Sequence, residues 1–86
     1  MTRPDDIRKE ILMQAYAVRP LAVSAERIYR DAKKAGYDFS LFEIKRELPF
    51  LVGEKLLFEN QTPGVTERTF EISSIGVRHY ENTYAA

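Results

Sequence analysis

The tightest constraint on this chain lies in the stretch AGYDFSLFEIKREL, residues 35 to 48, where a glycine is followed after three residues by a helix-capping signature. Gly36 stands where a helix closing in a left-handed turn needs a residue without a Cβ. Ser40 and Glu43 then have the spacing of a capping box. In such a box the serine side chain accepts from the backbone N–H three residues on, while the glutamate reaches back to the serine N–H. Only Tyr37, Asp38 and Phe39 lie between the stop and the next start. Two helices joined so tightly meet at a steep crossing, with the second free on its outer flank.

The periodicity on either side agrees. Upstream, Ser24 is the expected N-cap of the first helix of the pair and Glu26 sits in its first turn. Ile28, Tyr29, Ala32 and Ala35 form the expected buried stripe, and Arg27, Arg30, Lys33 and Lys34 lie opposite. Downstream, Leu41, Ile44 and Leu48 point inward and Phe42, Lys45 and Arg46 occupy other faces. Pro49 lacks a donor and clashes with the preceding turn, so the regular helix is expected to end near Glu47 or bend there, with Leu51 and Val52 in a second short turn.

An earlier helix is expected to begin near Pro4, with Asp5 and Asp6 complementing its dipole. Ile7, Ile11, Ala15 and Val18 recur at helical spacing, Leu12 and Tyr16 widen that face, and Arg19-Pro20 ends it before a very short strand in PLAV. From Lys55 the pattern changes. LLFEN and TERTFEI read as two strands of a hairpin joined through QTPGV, whose Pro63 and Gly64 suit the central positions of a type II turn. Phe70 and Ile72 face one side and Thr69 and Glu71 the other, and such a hairpin needs the helices for support. A final helix of about two to three turns, capped by Ser73 or Ser74, carries Ile75, Val77, Tyr80 and Tyr84.

Eighty-six residues hold one small domain, expected to span residues 1–86, and 44% hydrophobic with 30% charged residues is a soluble globular composition. There is no cysteine, hence no disulfide framework or thiolate metal site, and the N-terminus has no apolar run suited to a signal peptide. A cytoplasmic protein without membrane association is expected. The formal net charge of zero conceals a gradient. Residues 19 to 46 carry seven basic and four acidic groups, whereas residues 47 to 86 carry three basic and six acidic ones. Any polyanion-binding face therefore belongs to the middle of the chain.

Catalysis finds little support. His79 is the only histidine, without the further ligands a metal needs or a neighbouring nucleophile, and it reads as a surface or interface side chain. The carboxylates show no paired arrangement and there is no glycine-rich phosphate loop, so an enzyme is not expected and no cofactor is implied.

The order helix, short strand, helix, tight turn, helix, hairpin, helix resembles the winged helix-turn-helix superfamily across nearly the whole chain. SAERIYRDAKKAGYDFSLFEIKREL is similar to its two-helix unit, LVGEKLLFEN to the passage into the first wing strand, and FEISSIGVRHYE, with Ile72, Ser73 and Gly76, to its strand-to-helix transition. The resemblance implies an α+β, mostly helical fold with a three-helix core, a two-stranded wing and a C-terminal helix. It also implies a double-stranded DNA-binding protein acting in transcription regulation, whose third helix enters the major groove. Ser40, Phe42, Glu43, Lys45 and Arg46 then become groove candidates and Arg68 a wing contact, while Arg27, Arg30, Lys33 and Lys34 are placed to grip phosphates. A homodimer through the first and last helices, using Ile11, Met13, Tyr80 and Tyr84, is expected. The alternative is a winged helix that serves as a protein-interaction module in a larger or phage-derived complex, suggested by the neutral charge, a wing tip without Lys or Arg, and Phe42.

Overall fold

The computed structural model describes residues 2–61 and 63–84. Helix α1 (Arg3–Val18) starts from Thr2, whose hydroxyl accepts from the Asp5 N–H at 3.3 Å while the Asp5 carboxylate takes the Thr2 N–H at 3.4 Å. Ile7, Ile11, Leu12 and Ala15 are buried and Val18 and Tyr16 half-buried, as their spacing predicts.

The two-residue strand β1 (Val23–Ser24) leads directly into α2 (Ala25–Lys34), and the Ser24 hydroxyl accepts from the Arg27 N–H at 3.1 Å. Ile28 and Ala32 are fully enclosed. Ala35 is exposed rather than part of the buried stripe, because it is already the C-cap residue as the chain turns. Gly36 has φ +97°, its N–H donates to the Lys33 carbonyl at 3.1 Å, and the Tyr37 N–H donates to that of Ala32 at 3.0 Å. These two bonds form the Schellman closure that the glycine makes accessible.

Helix α3 (Leu41–Gly53) continues through Pro49, so of the expected stop or bend near Glu47 the stop does not occur. Leu48 and Leu51 on either side of the proline are both buried, so burial of that face outweighs the lost backbone bond, while Pro49 itself meets solvent. The helix closes in a second Schellman motif, with the Lys55 N–H donating to Val52 and the Leu56 N–H to Leu51, each at 3.0 Å. Its left-handed position, φ +64°, is filled by Lys55 rather than a glycine. Gly53 lies within the helix and does not serve the turn.

Strands β2 (Leu57–Asn60) and β3 (Thr69–Ile72) pair antiparallel, with Leu57 opposite Ile72 and Asn60 opposite Thr69. Gly64 between them has φ +84°, the value the second central position of a type II turn requires. The sheet has three strands rather than two. β1 pairs with the other edge of β3, Val23 opposite Phe70, giving the order β1-β3-β2. Val23, Leu57 and Phe70 bury against the helices.

Helix α4 (Ser74–Thr83) is capped by Ser73, whose hydroxyl accepts from the Gly76 N–H at 2.9 Å and donates to the Lys55 carbonyl at 2.6 Å. The Ser73 N–H donates to the Leu56 carbonyl at 3.0 Å. One serine thus fastens the start of α4 to the end of α3. Of the expected apolar face, Val77, Tyr80 and Tyr84 are half-buried, but Ile75 turns outward and is 48% exposed. Tyr80 stacks on Tyr16 of α1 at 4.6 Å, and the Tyr16 hydroxyl donates to Glu81 at 2.7 Å. Among the described residues, no helix is long and apolar enough to cross a membrane.

Candidate nucleic-acid interface

Two ion-pair clusters hold α3 against α1. Arg3 donates from Nε to Glu43 Oε2 at 2.6 Å and from Nη2 to Glu43 Oε1 at 3.0 Å, and reaches Asp38 Oδ1 at 3.3 Å. The same Glu43 completes the cap, accepting the Ser40 N–H at 3.0 Å while Ser40 Oγ accepts the Glu43 N–H at 3.0 Å. The Arg3 guanidinium, followed by the Ser40 N–H, holds the Glu43 carboxyl down at about 2, against an ordinary value of 4.5. A depressed carboxyl stabilises the fold above its unfolded value, and that contribution is lost as pH falls through the folded one. Denaturation of the native chain and of Glu43→Gln is therefore expected to differ most near neutral pH, with the gap closing between about 4.5 and 2. A gap independent of pH would show that the pair does not act through charge.

One turn further, Glu47 is almost fully buried and accepts from Arg8 Nε at 2.7 Å and Arg46 Nε at 3.3 Å. The Arg8 guanidinium also covers the Phe50 ring at 3.7 Å. Sequence reasoning did not single out Arg3, Arg8 or Glu47. A signal for Glu47 was available, because it shares the inward stripe of Ile44, Leu48 and Leu51.

These anchors fix what α3 presents outward. Phe42 is 73% exposed, and Lys45 and Arg46 follow on the same flank at the i+3 and i+4 positions. Phe42 does not pack on Phe39, whose ring is buried and stacked on Tyr37 at 5.0 Å. Of the α2 cations, Arg27 pairs with Asp31 at 3.7 Å. Among the described residues, no carboxylate lies within 4.0 Å of the charged groups of Arg30, Lys33, Lys34 or Lys45. Arg68 of the wing is 3.8 Å from Glu59 across the hairpin. Between α3 and the wing lies a cleft of about 650 Å³ lined by Lys45, Leu48, Phe70 and Arg68, but also by Glu26, Glu59 and Glu67. Its mixed charge makes it a poor cradle for phosphate.

At the opposite end, Ile11 is fully enclosed in the core and has no surface to offer a second subunit, because the helical stripe it belongs to is covered by the chain's own packing. Met13 is 36% exposed, and Tyr80 and Tyr84 lie against this chain's core with part of each ring in solvent. His79 is exposed, with its ring edge-on to Tyr84 at 6.0 Å.

No protein-family model matches the chain, and no curated protein matches it. Solved structures do. The PerR protein of GAS in its Zn-Zn form is 20% identical, with a TM-score of 0.62 over 84% of this chain and 43% of its own. The ferric uptake regulator from Pseudomonas aeruginosa with manganese is 24% identical, with a TM-score of 0.64 over 86% of this chain and 53% of its own. The chain thus spans about half the length of these neighbours. The shared fold is the winged helix, with four helices and a small antiparallel sheet among the described residues.

Proposed function

We propose that this chain is a small cytoplasmic regulator that binds double-stranded DNA, laying α3 in the major groove while α2 grips the adjoining backbone. The observation that carries this reading is the capped α3, which displays Phe42, Lys45 and Arg46 outward and packs on α2, whose Arg30, Lys33 and Lys34 are exposed and without a carboxylate partner among the described residues. The kinship in fold to a ferric uptake regulator adds to it. Ser40 and Glu43 are assigned to holding the first turn of α3, since their side chains are already engaged in the cap and by Arg3. Arg27 and Arg68 act as secondary phosphate contacts, each releasing a carboxylate to do so.

The two neighbours are described with zinc and manganese, whereas the described residues of this chain bring together no group of three or more His, Cys, Asp or Glu side chains able to hold a metal. No metal enters the reading. Binding as a homodimer to two half-sites is part of the proposal, with contacts drawn from Met13 and the outer edges of Tyr80 and Tyr84 and without Ile11.

If the primary contacts Arg30, Lys33, Lys34 and Lys45 each neutralise one phosphate, log K is expected to fall against log salt with a slope of roughly −3.6 per protomer, steepening toward roughly −5.4 if Arg27 and Arg68 engage as well. Anisotropy titrations of a mixed-sequence duplex from 50 to 200 mM salt read this slope, and Lys45→Ala with Arg46→Ala is expected to weaken binding by about tenfold or more. Absence of association at 50 mM salt would overturn the proposal.

One feature favours a protein partner instead. The wing combines one wall of the mixed-charge cleft with Phe58 and Val65, which are 55% and 49% exposed. A stable protein complex lost on Phe58→Ala but kept when Lys45 and Arg46 are both alanine would select that reading.

A further inference from the structure

Phe42 is the most exposed large apolar side chain among the described residues, at 73%, and it sits in the first turn of α3. That turn is held in place from two sides. The Ser40–Glu43 box closes its backbone, and Arg3 clamps Glu43 through two hydrogen bonds from α1. The aromatic side chain nearest in sequence does not cover the ring, since Phe39 is buried and stacked on Tyr37 with Arg3 over its face at 5.4 Å. A rigid backbone therefore holds an uncovered phenyl group on the flank that also carries Lys45 and Arg46.

The two cations select a polyanion, and a phenyl ring beside them makes no hydrogen bond to a base edge. The apolar feature that the major groove of a duplex offers is the methyl group on C5 of a pyrimidine, the thymine methyl in ordinary DNA. Building on the DNA-binding reading above, we infer that Phe42 is a specificity-determining residue that reads a pyrimidine 5-methyl group, with Lys45 and Arg46 engaging the neighbouring base and phosphate. The wing adds little to discrimination, because its tip carries neither Lys nor Arg and its Arg68 faces Glu59.

The test begins with a duplex selected by the full chain from a random-sequence library. That duplex is then resynthesised with deoxyuridine in place of thymidine, which keeps the pairing and removes only the methyl groups. The native chain is expected to bind the uracil duplex about fourfold more weakly for each methyl contacted, the equivalent of ~0.8 kcal/mol per buried methyl-sized group. Phe42→Ala is expected to bind both duplexes alike, and Lys45→Ala to weaken both equally. Because Phe42 lies outside the core, the variant is expected to keep the native circular dichroism and melting midpoint. Equal affinity of the native chain for the two duplexes, or a thymine preference that survives Phe42→Ala, would overturn the inference while leaving DNA binding intact. Failure of the native chain to bind any selected duplex would instead overturn the DNA-binding reading, and this inference with it.

Discussion

Replacing Gly76 with alanine is expected to cost about 3 kcal/mol or more of folding stability, enough to leave a chain of this size marginal. The reason is a close approach of backbone to backbone. A Cβ at Gly76 would collide with the Leu56 carbonyl oxygen and come within 2.8 Å of Ile72 Cγ1. That carbonyl cannot swing aside, because it accepts the Ser73 N–H at 3.0 Å and the preceding Lys55 carbonyl takes the Ser73 hydroxyl. Relief requires α4 to move away from the end of α3, and with it the stacking of Tyr80 on Tyr16. Gly53→Ala is the matched control. Gly53 is helical and open space lies within 4 Å of where a methyl group would stand, so alanine there is expected to be neutral or to stabilise by up to about 1 kcal/mol. Urea denaturation of the two variants reads the contrast, and coincident midpoints would show that α4 has room to shift.

Glu47→Ala is expected to cost about 3 kcal/mol, which also exceeds what a surface ion pair supplies. Glu47 is only 5% exposed and accepts from both Arg8 and Arg46, so its removal takes the closer counter-charge from the partly buried Arg8 guanidinium on Phe50, leaving it the longer contact with Asp5 at 3.7 Å, and opens space beneath α3. A double-mutant cycle with Arg8→Ala separates the two effects. A coupling energy above about 1 kcal/mol is expected for the pair, whereas additive losses would mean that the carboxylate serves only to fill volume. The cost is expected in chain stability first and in DNA affinity second, because the pair sets where α3 lies against α1.

The parts of this fold that are legible in the sequence are those written in local chemistry. Gly36, Ser40 with Glu43, and Ser24 announce their caps because each satisfies backbone groups within a few residues, and all act in those positions, while of Ser73 and Ser74 it is Ser73 that caps the last helix. Pro49 points to a stop that does not occur for the same reason. Its local penalty is real, but Leu48 and Leu51 bury on the far side of the helix and no window around the proline shows how deeply. The third strand escapes notice as a sheet member because Val23 and Ser24 form only two residues of strand, whose partner lies in the C-terminal half of the chain. Glu10, Gln14 and Glu47 look like ordinary polar positions. Each lies on an inward stripe and is tolerated there through a partner: Gln14 Nε2 donates to Glu10 at 2.8 Å and to the Ile28 carbonyl at 3.1 Å. The outward flank of α3 is legible because it is what remains once the apolar stripe is assigned. The clamp from Arg3 is not, since nothing near Arg3 in the sequence points to Glu43.

The middle position of β3 in the sheet sets an order of events during synthesis. Val23 leaves the ribosome well before Phe70, and Ser24 well before Thr69, so the α1 to α3 segment is complete while its seam remains open. The seam closes from both sides only when β3 arrives, joining β1 and β2 across it in one step. A nascent chain halted before Thr69 would lack the strand that Val23 and Leu57 both pair with, leaving two residues that are buried in the folded chain without their cover.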